Sequence, residues 1–278
     1  MSPVTAGLYN GREVGTVIIN VRAQPVEYSV NSKLEGIDAN QFLSSISSLK
    51  ETLNGVMSAS TNGRFSANGS AGTIVRTLNG TVSVNLANGK LANVDLLHQL
   101  AAIGRFSRTA RAVGPFTRLI RMNGDFDITN GLARTRNLEA VIEDGSLAAE
   151  GTVDLVDQKL DLHLTAVLSE DYSQSVGGTR IAGLMSTVLP NRRGEFVIPI
   201  RMTGTLKNPQ FAPDLEKIAR MKLQNLLPTF GNPDKLSTGI LGEIFRTKTQ
   251  PAEPQPREQP QDVLRDILQG VFGGDRGQ

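Results

Sequence analysis

The residues able to do acid–base or metal chemistry are few and scattered along the 278-residue chain, which holds two histidines and no cysteine. His98 falls on a predicted helix and His163 on the polar parity of a predicted strand. Neither stands at metal-ligand spacing from a second histidine, so each reads as a surface or satisfied polar residue. Asp154 and Asp161 can be drawn as a carboxylate pair across a hairpin, the arrangement general acid–base catalysis uses. Paired acids also occur on solvated sheet edges, and the sequence marks no cleft around these two. Gly177-Gly178-Thr179-Arg180 is too short for a phosphate loop and lacks its lysine, and reads as a flexible turn. The expectation is a chain that is not an enzyme and uses no metal or cofactor.

A different chemistry is available between Leu96 and Gly124, where no acidic residue occurs but Arg105, Arg108, Arg111, Arg118 and Arg121 do. Guanidinium groups grip phosphate oxygens in bidentate fashion, which makes these arginines candidate headgroup contacts for an anionic phospholipid. The same pattern suits a solvated helix face, or pairing with acids elsewhere. A formal charge of +2 and 5% aromatic residues fall short of a nucleic-acid surface, so nucleic acid is not expected as a partner.

The elements that carry these residues are mostly strands. From Val14 to Met202 the sequence keeps returning to alternation, clearest where Leu160, Leu162, Leu164, Ala166 and Leu168 share one parity and Asp161, His163 and Thr165 the other. Val17, Ile19 and Val21 lead through Gln24-Pro25 into Val26, Tyr28 and Val30, a predicted hairpin. Further strands are predicted around Met57–Phe65, Val82–Leu86, Met122–Ile128, Leu138–Ile142, Leu147–Leu155 and Phe196–Met202. Pro199 inside the last argues for a sheet edge or end. Asn88-Gly89 and Asn130-Gly131 both read as turns and suggest a weak internal repeat. Helices are predicted over Asp38–Leu53, Thr73–Leu78, Val94–Ile103, Ile181–Val188, Leu215–Leu227 with Asp214 as cap, and Lys235–Phe245.

These elements divide the chain into a first sheet segment with covering helices (1–104), a meander continuing the same sheet (105–212), C-terminal helices (213–248), a Pro/Gln/Glu linker (249–261) and an amphipathic tail helix (262–278). The tail, with Val263, Ile267 and Val271 on one face, is expected to bind its own domain, a membrane surface or an envelope protein. The start, Met1 to Thr5, has no basic segment followed by an apolar one, and no apolar run reaches the ~20 residues of a spanning helix. A soluble chain without an export signal is therefore expected, either cytosolic or a fragment lacking an upstream anchor.

Gly151-Thr152-Val153-Asp154-Leu155, Leu160-Asp161-Leu162 and Met202-Thr203-Gly204-Thr205-Leu206-Lys207-Asn208-Pro209, with Phe211, Pro213 and Asp214, occur in an order that resembles the C-terminal domain of the AsmA family of bacterial envelope proteins. Asn130-Gly131-Leu132 and the earlier Leu86, Asn88-Gly89, Leu91 and Val94-Asp95-Leu96 are similar to that family too, so the resemblance runs from about Leu8 to Leu227. It implies a mainly β fold with flanking helices, a curved antiparallel sheet forming a hydrophobic groove. It also implies a periplasmic location, inner-membrane anchoring in a longer protein, and a part in phospholipid transport and outer-membrane biogenesis. On that reading Val17, Ile19, Val21, Val82, Val84, Leu86, Leu160, Leu162, Leu164, Phe196, Ile198 and Ile200 line the groove against acyl chains. Alternation says that a face is buried and not by what, so an ordinary filled core, in a non-transporting scaffold for outer-membrane assembly, stays open beside it.

Overall fold

Val, Ile and Thr at alternating positions favour extended backbone that is buried on one side. The computed structural model, which describes residues 4–46, 51–67, 71–105, 116–178, 187–224 and 227–230, joins those segments into one open antiparallel sheet of twelve strands. Strands β1 (Val4–Leu8), β2 (Gly11–Asn20), β3 (Val26–Asp38), β4 (Leu53–Ala67), β5 (Asn79–Ala92), β6 (Phe116–Thr129), β7 (Leu132–Ile142), β8 (Gly145–Asp154) and β9 (Lys159–Leu168) neighbour one another in sequence order. After β9 the order changes: β11 (Phe196–Gly204) lies beside it, and β10 (Leu189–Pro190) and β12 (Pro209–Pro213) share the far side of β11. The sheet does not close into a barrel. The fold is mainly β with flanking helices.

The helices sit where strands reverse. Helix α1 (Ala39–Ile46) joins β3 to β4 and is started by Asp38, whose carboxylate accepts from the Gln41 N–H at 3.0 Å. Helix α3 (Leu96–Gly104) joins β5 to β6 at the same end of the strands, with Asp95 accepting from the His98 N–H at 3.0 Å. Helix α2 (Ala71–Thr77) caps the opposite end, beside the β6–β7 turn, where the Gly131 N–H donates to the Leu78 carbonyl at 3.0 Å. Helices α4 (Glu170–Ser175) and α5 (Leu215–Gln224) follow β9 and β12.

Several expectations change. Strand β1 precedes the predicted hairpin, and β6 begins at Phe116 rather than Met122. The helix expected up to Leu53 does not reach it, because Leu53 opens β4 and pairs with Leu91. Asn88-Gly89 is not a turn: β5 runs through it, with Asn88 at φ 51°, while register shifts lie opposite at Asn54/Val56 and Leu119/Arg121. Asn130-Gly131 is the tight hairpin turn expected, both residues having positive φ (50° and 78°). Pro199 does not lie on an edge strand, since β11 pairs on both sides. It falls in the gap between the β10 and β12 pairings, where the missing N–H breaks no ladder and its carbonyl accepts from the Asp214 N–H at 3.1 Å. The α4 helix lies within a stretch read as soft. The helices predicted at Ile181–Val188 (apart from its last two residues) and Lys235–Phe245, the linker and the tail lie outside the described residues, among which no helix is long and apolar enough to cross a membrane.

Candidate functional site on the apolar face of the sheet

Residues opposite one another in an antiparallel ladder lie on the same face, so the register traces one face across the whole sheet. Starting from β2, Val17 lies opposite Val30, Val30 opposite Gly63, Gly63 opposite Gly80 and Gly80 opposite Ile128. Ile19, Tyr28 and Phe65 form a second row, and Thr61, Val82 and Phe126 a third. In the later strands Leu147, Ala166 and Ile198 form one row and Ala149, Leu164 and Ile200 another. The opposite face is Ser29, Asn31, Ser60, Asn62, Thr81, Ser83 and Asn85 over β3–β5, with no comparable apolar row. The proposed lining residues all fall on the apolar face except Val21, which sits in the turn after β2.

Exposure then divides this face in two. Phe196 and Ile198 are fully buried, as are, to within a few per cent, Leu160, Leu162, Leu164, Ile200 and Leu86. They share a packed core with Leu96, Leu100 and Ala101 of α3 and with Tyr172 of α4 and Val176 just after it. Burial of each such Leu or Ile contributes roughly 1.5–3 kcal/mol, so this half is held shut by its own packing. Val17 and Ile19 are 54% and 52% exposed, Val21 is exposed too, and Val82 and Val84 are half-buried. Around them lie Val30, Phe126 and the stacked rings of Tyr28 and Phe65, with centroids 5.1 Å apart. These four belong to the open face and were not nominated from sequence. The signal for them is pairing register, which alternation within a single strand does not carry.

The charged candidates are arranged differently. Arg105 is exposed at the C-cap of α3; Arg118 and Arg121 are exposed on β6, on the polar face, with Arg118 4.0 Å from Glu143. Arg108 and Arg111 lie outside the described residues. His98 is exposed on α3, while His163 Nδ1 meets the buried Asp214 carboxylate at 2.6 Å. Asp154 accepts from the Val156 and Asp157 N–H groups at its turn, which hold it below the usual carboxylate range, and Asp161 pairs with Arg201 at 3.1 Å. Both carboxylates are thus engaged in turn and cross-strand contacts. Among the described residues no three His, Asp or Glu side chains converge as metal ligands.

The arrangement offers an apolar surface that is open over β2 and the adjoining part of β3–β6 around Val30, Phe65, Val82 and Phe126, and filled over β7–β12 and at Leu34, Met57, Leu86 and Leu119; over β3–β5 its back is rich in hydroxyls and amides. In comparison with known proteins, residues 1–138 fit the family model of the AsmA family. The matched stretch covers β1–β6 and most of β7, and the segment from Gly151 to Asp214 that carries much of the sequence resemblance lies beyond it. No curated protein and no solved structure matches the chain.

Proposed function

Because the chain belongs to the AsmA family, matched over residues 1–138 and associated with the bacterial envelope, we propose that it acts in the periplasm, binding phospholipid acyl chains on the open part of its apolar face in support of lipid transport between the membranes and of outer-membrane biogenesis. The observation that carries this reading is the set of in-register apolar rows holding exposed Val17 and Ile19 beside half-buried Val30, Tyr28, Phe65 and Val82, in the half of the chain that the family match covers. Each methylene moved from water onto such a surface is worth roughly 0.8 kcal/mol, so a single acyl chain gains several kcal/mol without any catalytic group. Movement along the face requires only that neighbouring positions be similar in energy, and these rows carry no charge, holding aliphatic, aromatic and glycine positions and one threonine, Thr61.

The test compares adjacent substitutions on opposite faces of β2. Val17→Asp with Ile19→Asp places carboxylates on the apolar face, whereas Ile18→Asp, at a residue 48% exposed, places one on the back. Native mass spectrometry and solvent extraction of the purified chain are expected to find phospholipid on the wild type and on Ile18→Asp, and about tenfold less on the double variant. Equal lipid on all three, or none on the wild type even after phospholipid is added, would sink the proposal. The packed half over β7–β12 favours the second reading, a scaffold that assists outer-membrane protein assembly without carrying lipid; that reading expects the lipid-free outcome.

A further inference from the structure

One carboxylate interrupts the apolar face, and its surroundings specify what it can bind. Glu13 of β2 lies opposite Leu34, a core residue, and so faces the apolar side. Among the described residues its one hydrogen-bond partner is the Ser32 hydroxyl, which donates to Glu13 Oε1 at 2.7 Å. A carboxylate offers about four acceptor positions, so one donor leaves most of them open. The nearest basic residues do not supply more: Arg12 and Lys33 are held by Glu35 on the other face, at 2.6 and 2.7 Å. Glu13 is only half-buried, and the positions beside it are small: Ala6 opposite it on β1, and Gly15 two residues on. Thr61, opposite Ser32, adds a hydroxyl. The result is a polar notch between the packed core at Leu34 and the open row that begins at Val17 and Val30.

We infer that this notch receives the primary ammonium of an amine-bearing lipid headgroup, of the phosphatidylethanolamine type, while the acyl chains lie on the open apolar rows; the inference rests on the acyl-chain reading above. An ammonium donates up to three hydrogen bonds, and the open oxygen positions of Glu13, with the lone pairs of the Ser32 and Thr61 hydroxyls beside it, can accept them. A phosphate with no amine would be repelled by the carboxylate. A quaternary ammonium has the charge but no N–H to donate. The notch therefore discriminates by headgroup where the apolar rows discriminate only by length.

The experiment loads the full chain with phosphatidylethanolamine, phosphatidylglycerol and phosphatidylcholine of identical acyl chains, in equal amounts, and reads bound lipid by native mass spectrometry. The wild type is expected to favour phosphatidylethanolamine about tenfold over each of the others, the size of one accessible charge-assisted hydrogen bond. Glu13→Gln, which keeps shape and loses charge, is expected to bring the ratios to about one while total lipid is retained; Ser32→Ala is expected to lower them partway. Equal loading on the wild type, or a preference that survives in Glu13→Gln, would overturn the headgroup assignment and leave acyl binding standing. No lipid of any kind on the wild type would overturn both. Ethanolamine offered alone is expected not to be retained, and its retention would assign the notch to a free amine instead.

Discussion

Asp214 meets two demands at the start of α5. Its carboxylate accepts from the Lys217 N–H at 2.9 Å, capping the helix, and meets His163 of β9 at 2.6 Å, tying the helix to the polar face of the sheet. Burial pushes this carboxyl up, but the hydrogen bonds from His163 and the Lys217 N–H outweigh it and hold Asp214 below the usual carboxylate range. The sign follows: the group contributes stability above its ordinary pKa of about 3.8, and that contribution is lost as pH falls through the lowered value. Replacing His163 by Leu removes a partner from a carboxylate that is 5% exposed, at a cost of about 1–3 kcal/mol. Urea unfolding at neutral pH should register that loss, and in the variant the acid limit of stability should move to higher pH. Unchanged stability and an unchanged acid limit would mean the contact does not hold α5.

Glu35 is a simpler case. Lys33 and then Arg12 pull it from 4.5 to about 2, on the polar face of the sheet. Carboxyl titration by NMR should find Glu35 ionised at pH 3, and Lys33→Gln should raise its midpoint. The sequence marks Asp214 as a cap and His163 as polar, yet not their meeting. The two are 51 residues apart, and only the pairing of β9, β11 and β12 brings them together.

At the scale of elements, the same dipeptide takes two structures. Asn130-Gly131 closes a hairpin, whereas Asn88-Gly89 lies within a strand, where Gly89 is buried against Leu86, the Asn54 carbonyl and Leu119. Local chemistry permits positive φ at both places. What differs is the pairing on either side, since β4 and β6 continue past Asn88 and leave the chain no room to reverse. Strand interiors and helix caps were therefore legible from local pattern, while strand ends depended on neighbours distant in sequence.

Glycines where strands approach closely give a test. Gly151, at φ 137°, would place a Cβ against the Asp161 carbonyl oxygen, so Gly151→Ala should destabilise by about 2 kcal/mol or more. Gly7 on β1 has nothing within 4 Å of the same atom, and Gly7→Ala should be neutral or slightly stabilising. Urea midpoints at equal m-value would compare the two, and similar midpoints would contradict the close approach of β8 and β9.

Across the described sheet, one face stays apolar from β2 to β11, apart from the polar position at Glu13 and Ser32, while its covering changes. That uniformity is what alternation encodes, and it was legible from the leucines of β9 alone. Which part is covered was not legible, because the cover comes from α3, α4 and the residue after α4, elements that pack on strands far from them in sequence; Thr187, for example, donates to the Ile103 carbonyl at 2.8 Å. Stability should therefore be graded along the sheet. Backbone hydrogen bonds in β8, β9 and β11 are screened on the apolar side by α3 and α4, and on the other by Ile218 and Met221 of α5 against Val167, Leu189 and Val197. Those in β1 and β2 are flanked by Val4, Val17, Ile18 and Ile19, each about half exposed or more. Hydrogen exchange should accordingly be slowest in β8, β9 and β11, approaching the rate of global unfolding, and faster by orders of magnitude in β1 and β2, which can open locally. Adding phospholipid should slow exchange in β2–β5 and leave β8–β11 unchanged, since a ligand protects only what it covers. Slowing confined to β8–β11 would instead place the acyl chains inside the packed half, with α3 or α4 displaced to admit them.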